Sequence, residues 1–244
     1  MKNKLVTVIT VVFNARKTLE ATIESVLNQD DELVEYCIVD GGSTDGTIDL
    51  IRKYEHRLGW WCTEPDNGIY DAMNKGIDHA SGKWLYFLGG DDTLRPGVIR
   101  QVAPYLKDEY SIVFGDVKYD NGYQMRSFFG PRTLLQNTIH HQSAFYKNSL
   151  FSSYRYDTSI KIVSEYDLHL RIYLDKEPVN YVPIIIADCA TGGASSESAR
   201  SLRETNSIRT RYLKDSWKNK FLSVFLSLYY AQKRLRYVLY GHRI

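Results

Sequence analysis

Four polar clusters in the first hundred residues hold the side chains best suited to chemistry: Asn14, Asp40-Gly-Gly-Ser-Thr-Asp-Gly46, Glu64-Pro-Asp-Asn-Gly68 and Gly89-Gly-Asp-Asp92. The sharpest is Asp91-Asp92, directly after the apolar run Trp84-Leu-Tyr-Phe-Leu88. Adjacent carboxylates at the end of a buried strand repel one another unless a cation or hydrogen-bond donors stabilise them. Carboxylates together with phosphate oxygens are the ligands Mg2+ and Mn2+ prefer. The plainer reading is that Asp92 or Thr93 caps the helix announced by Pro96. The turn at Asp40 has the spacing G-G-x-x-x-G, so it is not the G-x-G-x-x-G dinucleotide pattern, and it lacks the G-K-[ST] of a phosphate loop. A carboxylate such as Asp40 at a strand end suits hydrogen bonds from a base or ribose. Taken singly, each cluster also fits a turn in which glycine supplies positive φ and Asp or Ser caps the next helix.

The elements that position these clusters alternate between two periods. Leu5–Val12 is a β-branched run typical of a parallel strand covered on both faces, and Leu19, Ile23, Val26 and Leu27 form one stripe of a helix. Strands at Tyr36–Val39, Leu58–Cys62, Trp84–Leu88 and Ile112–Phe114 alternate with helical stripes at Ile48, Ile51 and Tyr54 and at Ile69, Met73 and Ile77. The alternation predicts an α/β fold with a doubly wound, mostly parallel sheet. All four polar clusters follow strands, and ligands of such sheets bind beyond the carboxyl ends of the strands. After about Asp116 the pattern becomes mixed α+β: a hairpin signal at Asn121-Gly122, strands at Gln142–Tyr146 and Val182–Ala187, and a helix over Glu165–Leu174. From about Glu197 the chain reads as helical to its end. Three parts are expected: residues 1–115, 116–199 and a tail of 200–244.

Hydrophobic content of 43% and charged content of 25% in 244 residues are globular values that exclude disordered, collagen-like and low-complexity readings. The net charge of +2 conceals a split: eleven Lys and Arg residues from Arg200 onward face only Glu204 and Asp215, a tail of +9 on a body of −7. An acidic body with a basic tail predicts that the tail meets something anionic, although a solvated Arg-rich helix has the same composition. An acidic rim argues against a nucleic-acid partner. Cys37, Cys62 and Cys189 sit apart in apolar runs with no metal-binding spacing, which predicts reduced thiols. The start, MKNKLVTVITVVFN, superficially resembles a signal peptide but lacks a small-residue cleavage site. No run approaches the ~18–20 apolar residues of a membrane span. A cytoplasmic protein is expected.

Val8–Asn14 (VITVVFN), Val39–Thr47 (VDGGSTDGT), Glu64–Gly76 (EPDNGIYDAMNKG), Gly82–Asp92 (GKWLYFLGGDD) and Ser164–Arg171 (SEYDLHLR) resemble, in order and spacing, the family 2 glycosyltransferases. The resemblance covers roughly Leu5 to Ala199 and is closest to bacterial transferases of capsule, exopolysaccharide and O-antigen assembly. It implies a GT-A-type fold, a nucleotide-sugar donor (UDP-linked), a divalent cation (Mn2+ or Mg2+) and inversion at the anomeric carbon. Carried over residue by residue, it implies nucleobase contacts at Val12, Asn14 and Asp40, and uridine or ribose contacts at Asp66. Asp91 matches the ribose-contacting acid, and Asp92 the metal ligand and diphosphate anchor. Glu165 takes the place of the catalytic base. Many members have a Glu-Asp pair there where this chain has Ser164-Glu165, and Asp167 is the rival carboxylate. His141 and Gln142 match a His-Gln pair near the acceptor site, and Gly193 and Ser195 lie in a segment resembling a loop that closes over the diphosphate.

Trp217–Tyr237 combines aromatics with cations and is too short in its apolar stretch to span a bilayer. An amphipathic helix lying on the anionic inner leaflet fits it, close to a saccharide or lipid-linked acceptor. A helix packed on the catalytic domain or on a second subunit competes with that reading. Two other functions remain in view: a scaffold subunit that binds donor without turnover, suggested by Ser164, and a sugar nucleotidyltransferase. The latter wants a Gly-rich, basic loop after the first strand, which Phe13-Asn-Ala-Arg16 is not.

Overall fold

The computed structural model describes residues 4–191, 198–214 and 216–240. Its first half alternates as the two periods predict: β1 (Val6–Val12), α1 (Leu19–Leu27), β2 (Val34–Asp40), α2 (Thr47–Tyr54), β3 (Trp60–Thr63), α3 (Ile69–His79) and β4 (Trp84–Gly89). There follow β5 (Thr93–Leu94), α4 (Val98–Val102), β6 (Ile112–Tyr119), β7 (Gln124–Arg126), β8 (Ala144–Lys147), α5 (Ser164–Leu174), β9 (Val179–Cys189), α6 (Ser198–Leu213) and α7 (Trp217–Tyr240). One sheet of order β3-β2-β1-β4-β8-β6-β9-β5 runs through the molecule, with β7 paired to β6. Its β3-β2-β1-β4 half is parallel throughout. The second half is mixed, β8 being antiparallel to both β4 and β6 and β9 parallel to β6. β6 crosses the boundary expected at residue 115.

Alternate side chains of β1 enter opposite layers of core. Val6 and Val8 pack with the apolar stripes of α1, α2 and α4, while Ile9 packs with Tyr70, Met73 and Ile77 of α3 and Leu168 of α5. This is the two-sided burial that makes a parallel strand read as a continuous apolar run. All three cysteines are free thiols, and burial raises the pKa of each.

The sheet curls, and the reason is short chain. From Gly89 at the end of β4 to Thr93 at the start of β5 is four residue steps, at most about 14 Å of chain. In a flat sheet β5 would stand four strand spacings from β4, roughly 19 Å away. The β9 edge is therefore drawn back toward the end of β4. Thr93 pairs with Asp188, and the Asp92 carboxylate accepts the Ala190 N–H at 2.9 Å.

Several local expectations are corrected. His141–Ser143 form a 3-10 turn, and the strand begins only at Ala144, because Tyr86 donates to the Gln142 carbonyl at 2.7 Å and takes it out of the ladder. Pro96 precedes α4 by two residues, with Gly97 at φ 65 between them. The tail is helical as expected, in two helices: α6 ends at Leu213, and Lys214 has φ 53. α6 packs on α5 through Ile208, which joins Val163, Tyr166 and Leu170. Arg209 is fully buried, donating to the Leu135 carbonyl (2.8 Å), to Ser223 of α7 (2.7 Å) and to Asn206. No described helix is long and apolar enough to cross a membrane.

Candidate active site

Pairing of Val12 with Asp40, Asp40 with Thr63 and Val11 with Gly89 brings the ends of four parallel strands level, so the polar clusters share one rim. Asp40, expected at the nucleobase, stands at the end of β2 on this rim. It is 0% exposed, and its carboxylate accepts from the backbone N–H groups of Gly42 and Ser43 (both 3.0 Å), from Thr63 Oγ1 (2.6 Å) and from Ser43 Oγ (2.5 Å). An Asp followed by a turn finds donors in its own backbone, and here they hold it in the loop. Asn14, at φ 51, pins the neighbouring loop by accepting from Thr44 N at 3.0 Å.

A second carboxylate at this part of the rim is Asp66. A Cβ on Gly41 would lie 2.5 Å from Asp66 Oδ2 and 3.5 Å from the Phe13 ring, so glycine makes room for both. Phe13 is 65% exposed beside them. Sequence reasoning passed over this ring, although an aromatic at a strand end, directly before a polar turn, could have marked it.

Asp91 and Asp92 converge over Gly89, whose Cβ would stand 2.6 Å from Asp92 Oδ2 and 3.0 Å from Asp91 Oδ1. Burial pushes the Asp92 carboxyl up to about 6, opposed by the Ala190 N–H and reinforced by the Asp91 charge. Gln142 also reaches Asp92 through its side chain. The backbone of the segment is pinned from α1, where Thr18 donates to the Gly90 carbonyl and Thr22 to the Asp92 carbonyl, both at 2.8 Å. Ser25 Oγ accepts from Leu94 N at 3.0 Å. These three hydroxyls recur at i, i+4 and i+7, one face of a helix, a stripe the sequence displays but apolar periodicity does not score. Among the described residues no cluster of three or more His, Cys, Asp or Glu could hold a metal. An all-oxygen pair facing a cradle without a Cβ still fits a divalent cation that takes its remaining ligands from phosphate and water.

Glu165 lies in the first turn of α5, 9% exposed. Tyr70, in the first turn of α3 just beyond the Glu64–Gly68 cluster, donates to its Oε2, and Asn137 Nδ2 donates to its Oε1 at 3.0 Å. Burial pushes the carboxyl up to about 7, against the pull of those two donors. Lys161 Nζ reaches the Asn67 carbonyl at 2.5 Å, tying the segment ahead of α5 to the third rim cluster. Ser164 is fully buried, its hydroxyl donating to the Asp157 carbonyl at 3.2 Å, so it packs the helix start. Asp167 faces the tail, where Arg211 stands 3.9 Å from Oδ1.

The remaining expected residues fare unevenly. Gln142 comes to Asp92, as above. The ring nitrogens of His141 are buried with no hydrogen-bond partner among the described residues, the imidazole stacks on Phe87 with centroids 5.1 Å apart, and burial pulls its pKa down to about 3. That ring is a neutral part of an aromatic cluster. Gly193 and Ser195 lie outside the described residues. A surface hollow of about 710 Å³, lined by Lys4, Lys83, Lys147 and Arg155 among others, lies at the start of β1 and β4. That is the end of the sheet opposite the rim, so it is not the crevice such sheets use.

The family model described as Glycosyl transferase family 2 matches residues 7–162. A PGL/p-HBAD biosynthesis glycosyltransferase of Mycobacterium tuberculosis is 30% identical over 208 residues, 81% of either chain. S. aureus TarS 1-349 in complex with UDP-GlcNAc shares the fold at a TM-score of 0.68 and 14% identity, over 91% of this chain and 79% of that one. A mannosyltransferase from Pyrobaculum calidifontis in complex with GDP-Man and Mn2+ does so at 0.66 and 17%, over 88% and 66%.

Proposed function

The chain belongs to glycosyltransferase family 2 and has the GT-A-type fold, and from that premise we propose that it moves a sugar from a UDP-sugar to an acceptor hydroxyl with inversion. The observation that carries this reading is the buried Glu165 carboxyl, held by Tyr70 and Asn137 with a pKa pushed up to about 7. A base whose pKa lies near the working pH combines the ionised form with a useful affinity for the proton. In the step, the acceptor O–H gives its proton to Glu165 while its oxygen bonds to the anomeric carbon. The bond from that carbon to the diphosphate oxygen breaks, and the electron pair leaves with the nucleoside diphosphate. Phe13 offers a stacking surface for the base and Asp66 an acceptor beside it. Asp92, with Asp91, would hold Mn2+ or Mg2+, and such a cation when bound offsets charge on the leaving diphosphate. Incubating the full chain with UDP-sugars, Mn2+ and saccharide acceptors tests the reading. Glu165→Gln should lose transfer while still binding donor in a thermal-shift assay. Turnover retained by that variant would sink the base assignment.

The acceptor in this reading is a growing polysaccharide or a lipid-linked saccharide at the inner face of the cell membrane. Support comes from α7, whose outer face carries Trp217, Phe221, Val224, Phe225 and Leu228, all half or more exposed at one helical spacing. The tail that bears them has a charge of +9. Apolar side chains with flanking cations suit an anionic bilayer surface. Flotation with phosphatidylglycerol vesicles should carry the protein upward, and Phe221→Asp with Leu228→Asp should leave it at the bottom. Equal flotation of both forms would refute the contact.

A further inference from the structure

Behind Glu165 runs a line of hydrogen-bonded polar groups, its far members buried, that the transfer step does not itself need. His169 Nδ1 lies 2.8 Å from Asn137 Oδ1, and His169 Nε2 lies 2.9 Å from the Tyr146 hydroxyl. His169 and Tyr146 are both fully buried, and burial pulls the imidazole down to about 3, so the ring is neutral with one N–H. The direction of every bond then follows from the carboxylate. An ionised Glu165 can only accept, so Asn137 must turn its NH2 toward Oε1 and its oxygen toward His169. That oxygen demands the imidazole proton on Nδ1, which leaves Nε2 bare and obliges Tyr146 to donate.

The other carboxylate oxygen is treated differently. The single hydroxyl proton of Tyr70 has two acceptors within reach, Glu165 Oε2 and the Ile162 carbonyl at 2.8 Å. With Glu165 ionised, Tyr70 donates to Oε2. With a proton on Oε2, that oxygen can donate to Tyr70 while Tyr70 donates to Ile162. Among the described residues, only this side of the carboxyl has a partner for both protonation states.

We propose that Tyr146, His169 and Asn137 form a one-way hydrogen-bond chain that positions Glu165, committing Oε1 as an acceptor and leaving Oε2, shared with Tyr70, to receive the proton of the attacking hydroxyl. The proposal deepens the reading of Glu165 as the base and rests on it. The three are positioning residues, since each acts through the next and His169 and Tyr146 are sealed from solvent. By donating along the chain they favour the charged form of the carboxyl against the cost of its burial. Other groups that bear on the same carboxyl are Tyr70 of α3, Glu204 of α6, and Tyr154 and Tyr156 ahead of α5. Of these, Glu204 is a carboxylate and the other three are phenols.

The test is the pH dependence of kcat in full-length Tyr146→Phe, which removes one hydroxyl, and His169→Phe, which removes both ring nitrogens. The acidic limb should move to higher pH, by about half a unit in the first and about one unit in the second, while the donor KM stays within about twofold. The double variant should match His169→Phe alone, because Tyr146 acts only through that ring. Tyr146→Phe carries the test by itself if His169→Phe does not fold. Wild-type limbs in these variants, with Glu165→Gln inactive, overturn the chain but not the base. Turnover by Glu165→Gln overturns both.

Discussion

Glu204 of α6 accepts a 2.8 Å hydrogen bond from the backbone N–H of Ile162, three residues ahead of Glu165. The same carboxylate accepts from Lys161 N (3.1 Å) and Val163 N (3.3 Å), so one acid of the tail caps the segment that leads into α5. Arg209, five residues later in α6, holds the Leu135 carbonyl close to Asn137. The tail thereby braces both supports of the candidate base. Glu204→Ala should lower unfolding free energy by about 2 kcal/mol, because it strands several N–H groups at once. Urea denaturation measures that loss. Turnover should fall more steeply than donor affinity, and unchanged stability and turnover would show that the brace is dispensable.

Glu165 links stability to pH. Its carboxyl is raised from 4.5 to about 7 by burial, so between those values the unfolded chain has released a proton that the folded chain still holds. Stability is then highest below about 4.5, falls as pH rises toward 7 and levels off above it. Glu165→Gln has no such proton to lose. Its advantage over wild type should grow by up to about 3 kcal/mol across that window. Denaturant midpoints at several pH values check the slope, and parallel curves would contradict a raised carboxyl.

Gly89→Ala places a methyl group against both Asp91 and Asp92. The fold should survive through small shifts of the carboxylates, while Mn2+ affinity in the presence of UDP should drop by roughly tenfold or more. Asp92→Asn should abolish the cation's effect on donor binding altogether. Calorimetric titration of Mn2+ with and without UDP distinguishes the two variants, and wild-type affinity in Gly89→Ala would count against a shared cradle.

Thr22 supports the same segment from beneath. Thr22→Val keeps the shape of the side chain but leaves the Asp92 carbonyl without its 2.8 Å donor, at a cost of about 1–3 kcal/mol. Thr22→Ser retains the hydroxyl and should recover most of that loss. Thermal unfolding of the pair isolates the hydrogen bond from the packing.

Local features of the sequence carried the rim. β-branched runs, helical stripes and Asp/Gly turns are each written in a few neighbouring residues, so β1 to β4 and the four clusters could be read directly. What the sequence does not display at Asp40 is its hydrogen bonding: the acid accepts from two N–H groups of its own turn, a pairing set by loop conformation rather than by residue type. The curl of the sheet was invisible because it depends on the two residues of β5, whose partners come more than ninety positions later. Asn137 lies in a stretch without periodicity and gave no sign. His169 did: it follows Glu165 by four positions in a helix, the spacing that puts two side chains on one face.

The Asp92–Ala190 hydrogen bond joins residues 98 positions apart and has a consequence for how the protein comes into being. Contacts of such long sequence separation form late, because closing the intervening chain costs entropy before any contact offsets it. During synthesis the β1–β4 half can collapse on α1 and α3 while the acid pair still lacks its strand. The clasp at Asp92 becomes complete only after residue 190 has been made, when α5 and its glutamate are already present. A half-made chain therefore lacks the hydrogen bond that joins the end of β4 to the far edge of the sheet, and this corner of the rim is the last to be fixed.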